Sequence, residues 1–86
     1  MNNLIKYNVT VRQISVGQTV QSNCNEITFI NTGTNIVNIE LIQLQPGQQF
    51  KIGGNLGELC VTSFNVSFVT GTGINSLIVV QKIYAE

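Results

Sequence analysis

The residues of this 86-residue chain that chemistry would have to use are few: the internal carboxylates Glu26, Glu40 and Glu58, the thiols Cys24 and Cys60, and two pairs of close glycines. Glu26 and Glu58 each stand beside the start of an apolar-alternating run, where two carboxylates could form the acid and base or nucleophile of a glycoside hydrolase. They are set among Asn, Gln and Thr, and there is no Trp on which a sugar ring could stack, so solvated surface acids are the simpler reading. A nucleophile needs a base, the usual base of intermediate pKa is histidine, and the chain has none. Gly53-Gly54 and Gly71 with Gly73 have the spacing of phosphate-cradling loops, but no helix follows to present its N-terminus and no P-loop lysine is in place. Without His or Asp, two lone cysteines do not make a zinc site. The expectation is a chain with no enzymatic activity, no cofactor and no metal.

Cys24 and Cys60 leave two readings open. A disulfide between them would close a long loop, worth about 3 to 4 kcal/mol in the chain-entropy model. Alternatively they are small apolar core residues, the usual role of free cysteine. Residues 1–8 carry no apolar core of the length an export signal requires, which predicts synthesis in a reducing cytoplasm and favours the second reading. The triplets Asn8-Val9-Thr10 and Asn65-Val66-Ser67 match the glycosylation pattern, a match expected by chance in a chain so rich in Asn, Thr and Ser.

Lys6, Arg12, Lys51 and Lys82 are scattered and balanced by four glutamates. They cannot build the positive surface that phosphate neutralisation requires, so nucleic acid is not an expected partner. Leu77 to Val80 is the longest apolar run in the later chain, far short of a membrane span, and no membrane is expected either. The surface must instead be made of Asn, Gln, Ser and Thr, which costs little to desolvate against like copies.

The elements that would position these residues are strands. Leu4 to Ile14 alternates, with Ile5, Tyr7, Val9 and Val11 on one face, predicting a half-buried strand in which they point inward. A short strand is expected around Gln18 to Gln21. Glu26 to Asn31 and Ile36 to Ile42 flank Asn31-Thr32-Gly33-Thr34-Asn35, which reads as a hairpin loop, and Pro46-Gly47 reads as a type II turn before a short strand at Phe50 and Ile52. Ile27 with Phe29, and Val37 with Ile39 and Leu41, are the expected inward residues. The glycine-rich stretch Gly53 to Gly57 is the expected flexible loop. Leu59 to Val69 alternates with Phe64, Val66 and Phe68 inward, Thr70 to Asn75 reads as a second hairpin loop, and Ser76 to Tyr84 is a last strand whose centre, Leu77 to Val80, is apolar on both sides and suited to a central place. No stretch has helical periodicity. The prediction is one all-β domain over residues 1–86, a small antiparallel β-sandwich or barrel of about six or seven strands.

Eight residues stand out as candidate protein contacts. Tyr7 and Tyr84 each offer apolar area with a polar tip, and core-rim tyrosines are the equal alternative. Ile30, Ile36 and Ile42 form a second apolar face, requiring either a bulge, a doubly covered strand or a neighbour. Ile78 and Val80 lie on the second side of the last strand, and Leu4 begins the first. A domain of this size buries little over half of its unfolded surface, so partner subunits would help to hold it.

The run Phe29-Ile30-Asn31-Thr32-Gly33-Thr34, an alternating strand, and then Leu44-Gln45-Pro46-Gly47-Gln48-Gln49-Phe50 resembles a pattern of small virion proteins of tailed bacteriophages, with Asn-Thr-Gly at a hairpin followed by Leu-x-Pro-Gly-x-x-Phe. Ser63-Phe64-Asn65-Val66-Ser67-Phe68 is compatible with it. The resemblance implies a virion location and a structural role, such as an auxiliary or decoration protein of the head that binds the major capsid protein as a homo-oligomer. A tail, baseplate or fibre component is the alternative within that class. Outside it stands a carbohydrate-binding β-sandwich using the Gly53 to Glu58 and Thr70 to Asn75 loops. The resemblance transfers no catalytic residue.

Overall fold

The computed structural model describes residues 4–55 and 57–85; Leu56, in the expected glycine-rich loop, lies outside them, as do the first three residues and Glu86. Eight strands run in chain order: β1 Tyr7–Ile14, β2 Gln18–Gln21, β3 Glu26–Asn31, β4 Val37–Ile39, β5 Ile42–Leu44, β6 Gln49–Gly53, β7 Ser63–Phe68 and β8 Leu77–Tyr84. They form two four-stranded antiparallel sheets, ordered β1-β8-β3-β6 and β2-β7-β4-β5. The chain is all-β, as its periodicity predicts. Successive strands pass from one sheet to the other except at β4-β5, which is the winding of an eight-stranded jelly roll.

That winding corrects the expected connections. Asn31 to Asn35 is not a hairpin loop, because β3 and β4 belong to different sheets. Asn31 makes the crossing possible: its buried side chain donates from Nδ2 to the carbonyls of Asn35 and Leu44, each at 2.9 Å, and accepts from the Gly33 N–H at 3.0 Å. Gly33 then lies so close to the backbone of Ile74 to Ser76 that a Cβ there would overlap it. Thr70 to Asn75 likewise crosses between sheets rather than closing a hairpin, since β7 and β8 are not neighbours. Pro46-Gly47 does turn as expected, with Gly47 at φ 85° and a Gln48 N–H to Gln45 carbonyl bond of 3.0 Å, and it too carries the chain across.

The expected strand Ile36 to Ile42 is broken into β4 and β5 by a tight turn at Glu40-Leu41. Glu40 takes a positive φ of 54°, and its carboxylate accepts the Asn65 N–H at 2.9 Å. Leu41, expected inward with Val37 and Ile39, is fully exposed at the turn. The turn also removes Ile42 from the second apolar face: it pairs with buried Ile39 and therefore shares its side of the sheet, at the open edge of β5.

Between the sheets lies one core, with Val20, Ile27, Phe29, Val37, Ile39, Leu44, Phe64, Val66, Leu77 and Val79 among its members and Phe50, Ile52 and Phe68 packed against it. The Phe29 ring meets Phe64 edge to face at 5.3 Å between centroids. The inward assignments of β3, of Val37 and Ile39 in β4, and of β7, and the central place of β8, are as expected. For β1 the structure reverses the face. Tyr7, Val9 and Val11 are exposed at 54%, 50% and 62%, Ile5 ahead of the strand is exposed too, and the one buried residue of β1 is Ile14 on the opposite side.

Candidate functional site

The outer face of the β1-β8-β3-β6 sheet collects most of the candidate contact residues. Residues directly opposite in an antiparallel sheet share a face. Arg12 pairs with buried Val79 and Ile14 with buried Leu77, so the odd-numbered residues of β1 look outward. Across that face run Tyr7 beside Tyr84; Val9, Lys82 and Glu26; Val11, Val80, Thr28 and Lys51; and Gln13, Ile78, Ile30 and Gln49. Tyr7, Ile30, Ile78, Val80 and Tyr84 thus share one surface. Val9 and Val11 join them, although the sequence reading had turned both inward.

The remaining three candidates lie elsewhere. Ile36 precedes β4 in the other sheet, where its carbonyl accepts the Val69 N–H at 2.9 Å. Ile42 lies on the core side of β5 but at its open edge, 38% exposed, and Leu4 stands ahead of β1, largely exposed. One end of the outer face is aromatic and cationic: the Lys82 ammonium sits 4.5 Å from the Tyr7 ring centre and 5.1 Å from that of Tyr84. Lys51 and Glu26 approach to 3.9 Å across the same face, a long contact between an exposed ammonium and a partly covered carboxylate, of small energetic consequence. The chemistry available here is apolar contact, amide hydrogen bonding and cation–π attraction.

The thiols form a second place of interest. Cys24 and Cys60 are directly opposite one another in an isolated antiparallel bridge, exchanging backbone hydrogen bonds of 3.1 and 2.7 Å, and both are free. The paired placement satisfies the backbone geometry a disulfide needs, while the free thiols agree with the core-residue reading. Their environments differ. The Ser22 hydroxyl, 3.3 Å from Cys60 Sγ, holds the Cys60 thiol below its ordinary range, whereas burial pushes Cys24 up against a weaker opposing bond from Gln81. Cys60 lines an open depression with Asn25, Ile52, Gly53 and Glu58.

Polar side chains that the sequence reading passed over hold this end together. Asn25 donates from Nδ2 to the Glu58 carbonyl and accepts the Tyr84 N–H, both at 2.6 Å; Gln81 donates to the carbonyls of Gln21 and Ser22. Their signal in the sequence was a polar residue at a position whose neighbours alternate inward. Of the carboxylates considered as an acid–base pair, Glu26 approaches Lys51 on the outer face, and Glu58, in the loop after β6, accepts a bond from Asn55 Nδ2 at 2.9 Å. Among the described residues no group of His, Cys, Asp or Glu could hold a metal ion.

The two loops considered for carbohydrate lie at opposite ends of the sandwich. Gly53 pairs with Glu26 at the start of β3, whereas Thr70 to Asn75 leads into Leu77, which pairs with Asn31 at the end of β3. They do not form one site. No helix is long and apolar enough to cross a membrane among the described residues. Comparison with protein-family models, with curated proteins and with solved structures finds no match for the chain.

Proposed function

We propose that the chain is a non-enzymatic structural protein of a tailed-phage virion, an auxiliary or decoration protein bound to the outer surface of the capsid. The observation that carries this reading is the outer face of the β1-β8-β3-β6 sheet. It is apolar through Val11, Val80, Ile78 and Ile30, has tyrosines at one end, and its charges, Glu26, Lys51 and Lys82, are met by an opposite charge or by tyrosine rings. Branched apolar residues beside tyrosines are a composition suited to a protein–protein contact. The jelly-roll winding is shared by viral capsid domains and by lectins, so it is compatible with the reading by analogy of fold alone.

Binding in this reading draws on many small apolar and amide contacts, multiplied by avidity over repeated sites on the particle. The major capsid protein is the expected partner. Quantitative mass spectrometry of purified particles tests it: copies in fixed proportion to the capsid protein are expected. Absence from intact virions overturns the reading, and a few copies confined to the tail would move the protein to the tail or fibre instead.

A further inference from the structure

We propose that β1 is a self-pairing edge, and that two copies of this chain join there about a two-fold axis beside Thr10, making one continuous sheet of their two β1-β8-β3-β6 sheets. This goes beyond the virion reading and does not require it, because the contact is between copies of this chain alone.

The backbone carries the first part of the argument. The Ala85 N–H donates to the Lys6 carbonyl at 2.7 Å, which makes Lys6 and Ala85 a hydrogen-bonded pair in the β1-β8 register. Hydrogen-bonded and non-hydrogen-bonded pairs alternate along an antiparallel ladder. Asn8, Thr10, Arg12 and Ile14 therefore bond to β8, and the N–H and C=O groups of Tyr7, Val9, Val11 and Gln13 point off the open edge. Among the described residues none outside β8 pairs with them. At eight residues β1 is the longest of the edge strands, against five in β6, four in β2 and three in β5. It has no proline or positive-φ residue to interrupt pairing, and long, flat, apolar edges are the ones that recruit another strand.

Register carries the second part. A two-fold axis normal to the sheet keeps outer face with outer face, so it must pass through a residue pair of equal number. Centred on Val9, it would set Lys6 opposite Arg12 of the second copy, two like charges face to face. Centred on Val11, it would put Val9 against Gln13 and run Tyr7 past the strand end to Ser15. Centred on Thr10, it matches Tyr7 to Gln13 over the whole strand, puts Val9 against Val11 on the outer face, and sets Asn8 against Arg12 and Thr10 against Thr10 on the other. In that register every free group of Tyr7, Val9, Val11 and Gln13 finds a partner. The strand is thus complementary to itself in one register. An edge contact is smaller than a standard interface, so the dimer forms with concentration and is reinforced where copies are held together.

Sedimentation equilibrium of the full chain tests this, with dimer expected to accumulate as the chain approaches about 1 mM. Val11→Pro removes an N–H that β8 does not use and should weaken association about tenfold or more while leaving the far-ultraviolet circular dichroism unchanged. Should that variant not fold, Val9→Lys combined with Val11→Lys sets lysines against each other across the axis and must weaken association likewise. Thr10→Cys should form a cross-linked dimer with oxidised glutathione, and Val9→Cys should not, because Thr10 faces itself at a non-hydrogen-bonded pair about 4.5 Å apart. A monomer at about 1 mM, or association indifferent to both edge variants, overturns the proposal, and self-cross-linking at Val9 in place of Thr10 overturns its register. None of these outcomes involves a phage particle, so they are separable from the copy-number test of the virion reading.

Discussion

Strands β1 and β7 are spelled alike and end differently. Tyr7-Asn8-Val9-Thr10-Val11 and Phe64-Asn65-Val66-Ser67-Phe68 both alternate apolar with polar, yet Phe64 and Val66 are buried while Tyr7, Val9 and Val11 are exposed. The difference is what stands across from each. β7 lies in the middle of its sheet, between β2 and β4, with its apolar side toward Phe29 and the opposing sheet. β1 is an edge whose inward side carries Asn8, Thr10 and Arg12, and only Ile14 of that side reaches the core. Period-two alternation states that one face of a strand wants cover; it does not say whether this chain supplies it.

The sharpest way to break that contrast is through the core. Phe29 is fully buried and packs on Phe64 and Phe50, so Phe29→Ala should cost about 3 to 5 kcal/mol in urea denaturation, enough to unfold a domain this small. A loss below about 1 kcal/mol would mean that the sheets do not close over Phe29 as described.

Asn31 comes next. Replacing it by Leu keeps its branched outline but removes both Nδ2 bonds, to the carbonyls of Asn35 and Leu44, and leaves the Gly33 N–H with the Ser76 carbonyl alone, with an expected loss of about 2 to 3 kcal/mol. Thermal or urea melts check it, and a stability equal to wild type would show that the crossing does not depend on this side chain. Asn31 also shows why strands were easier to read than their connections. Apolar alternation located β3, which turns one face to the core, and β7, which fills only Ser63–Phe68 of the longer alternating stretch Leu59 to Val69; the apolar run of Leu77 to Val80 marked β8. An Asn-Thr-Gly loop, however, supplies the same turn chemistry whether the chain doubles back in one sheet or crosses to the other. What decides is a buried side-chain bond to Leu44, thirteen residues on, which local spelling does not contain. The Glu40-Leu41 turn was hidden for a related reason. Neither residue is a usual two-residue hairpin pair, and the turn is secured by a carboxylate bond to the distant Asn65 backbone. The outer-face residues Ile30, Ile78 and Val80 were legible because they sit on strands whose other face is plainly core.

A smaller effect separates the two thiols. At pH 8 iodoacetamide should modify Cys60, whose thiol is held low by Ser22, well before buried Cys24, as read by peptide mass spectrometry. The linkage signs are opposite. The folded chain releases the Cys60 proton earlier than the unfolded chain does, so this group adds stability as pH rises toward the ordinary thiol value of 9.0; Cys24 keeps its proton longer when folded, and subtracts stability above that value. Equal modification rates for the two would mean that the end of the sandwich around Ser22 and Gln81 opens freely.

The smallest expected effect tests β1 directly, in a matched pair of substitutions. Val79 on β8 is fully buried, and Val79→Thr puts an unpartnered hydroxyl into the core at an expected cost of about 1 to 3 kcal/mol. Val11 on β1 belongs to the row beside Val80, one position away on the opposite face, and is 62% exposed. Val11→Thr exchanges one branched strand-former for another in water, so its stability should stay within about 0.5 kcal/mol of wild type. Both are measured by urea denaturation at a chain concentration low enough to keep the protein monomeric, so that edge pairing does not add to either value. If Val11→Thr costs as much as Val79→Thr, the apolar face of β1 is the covered one and the contrast with β7 disappears. If only Val79→Thr is costly, the alternation of β1 is not there to stabilise the monomer, and a face kept apolar without that benefit is one that meets another chain.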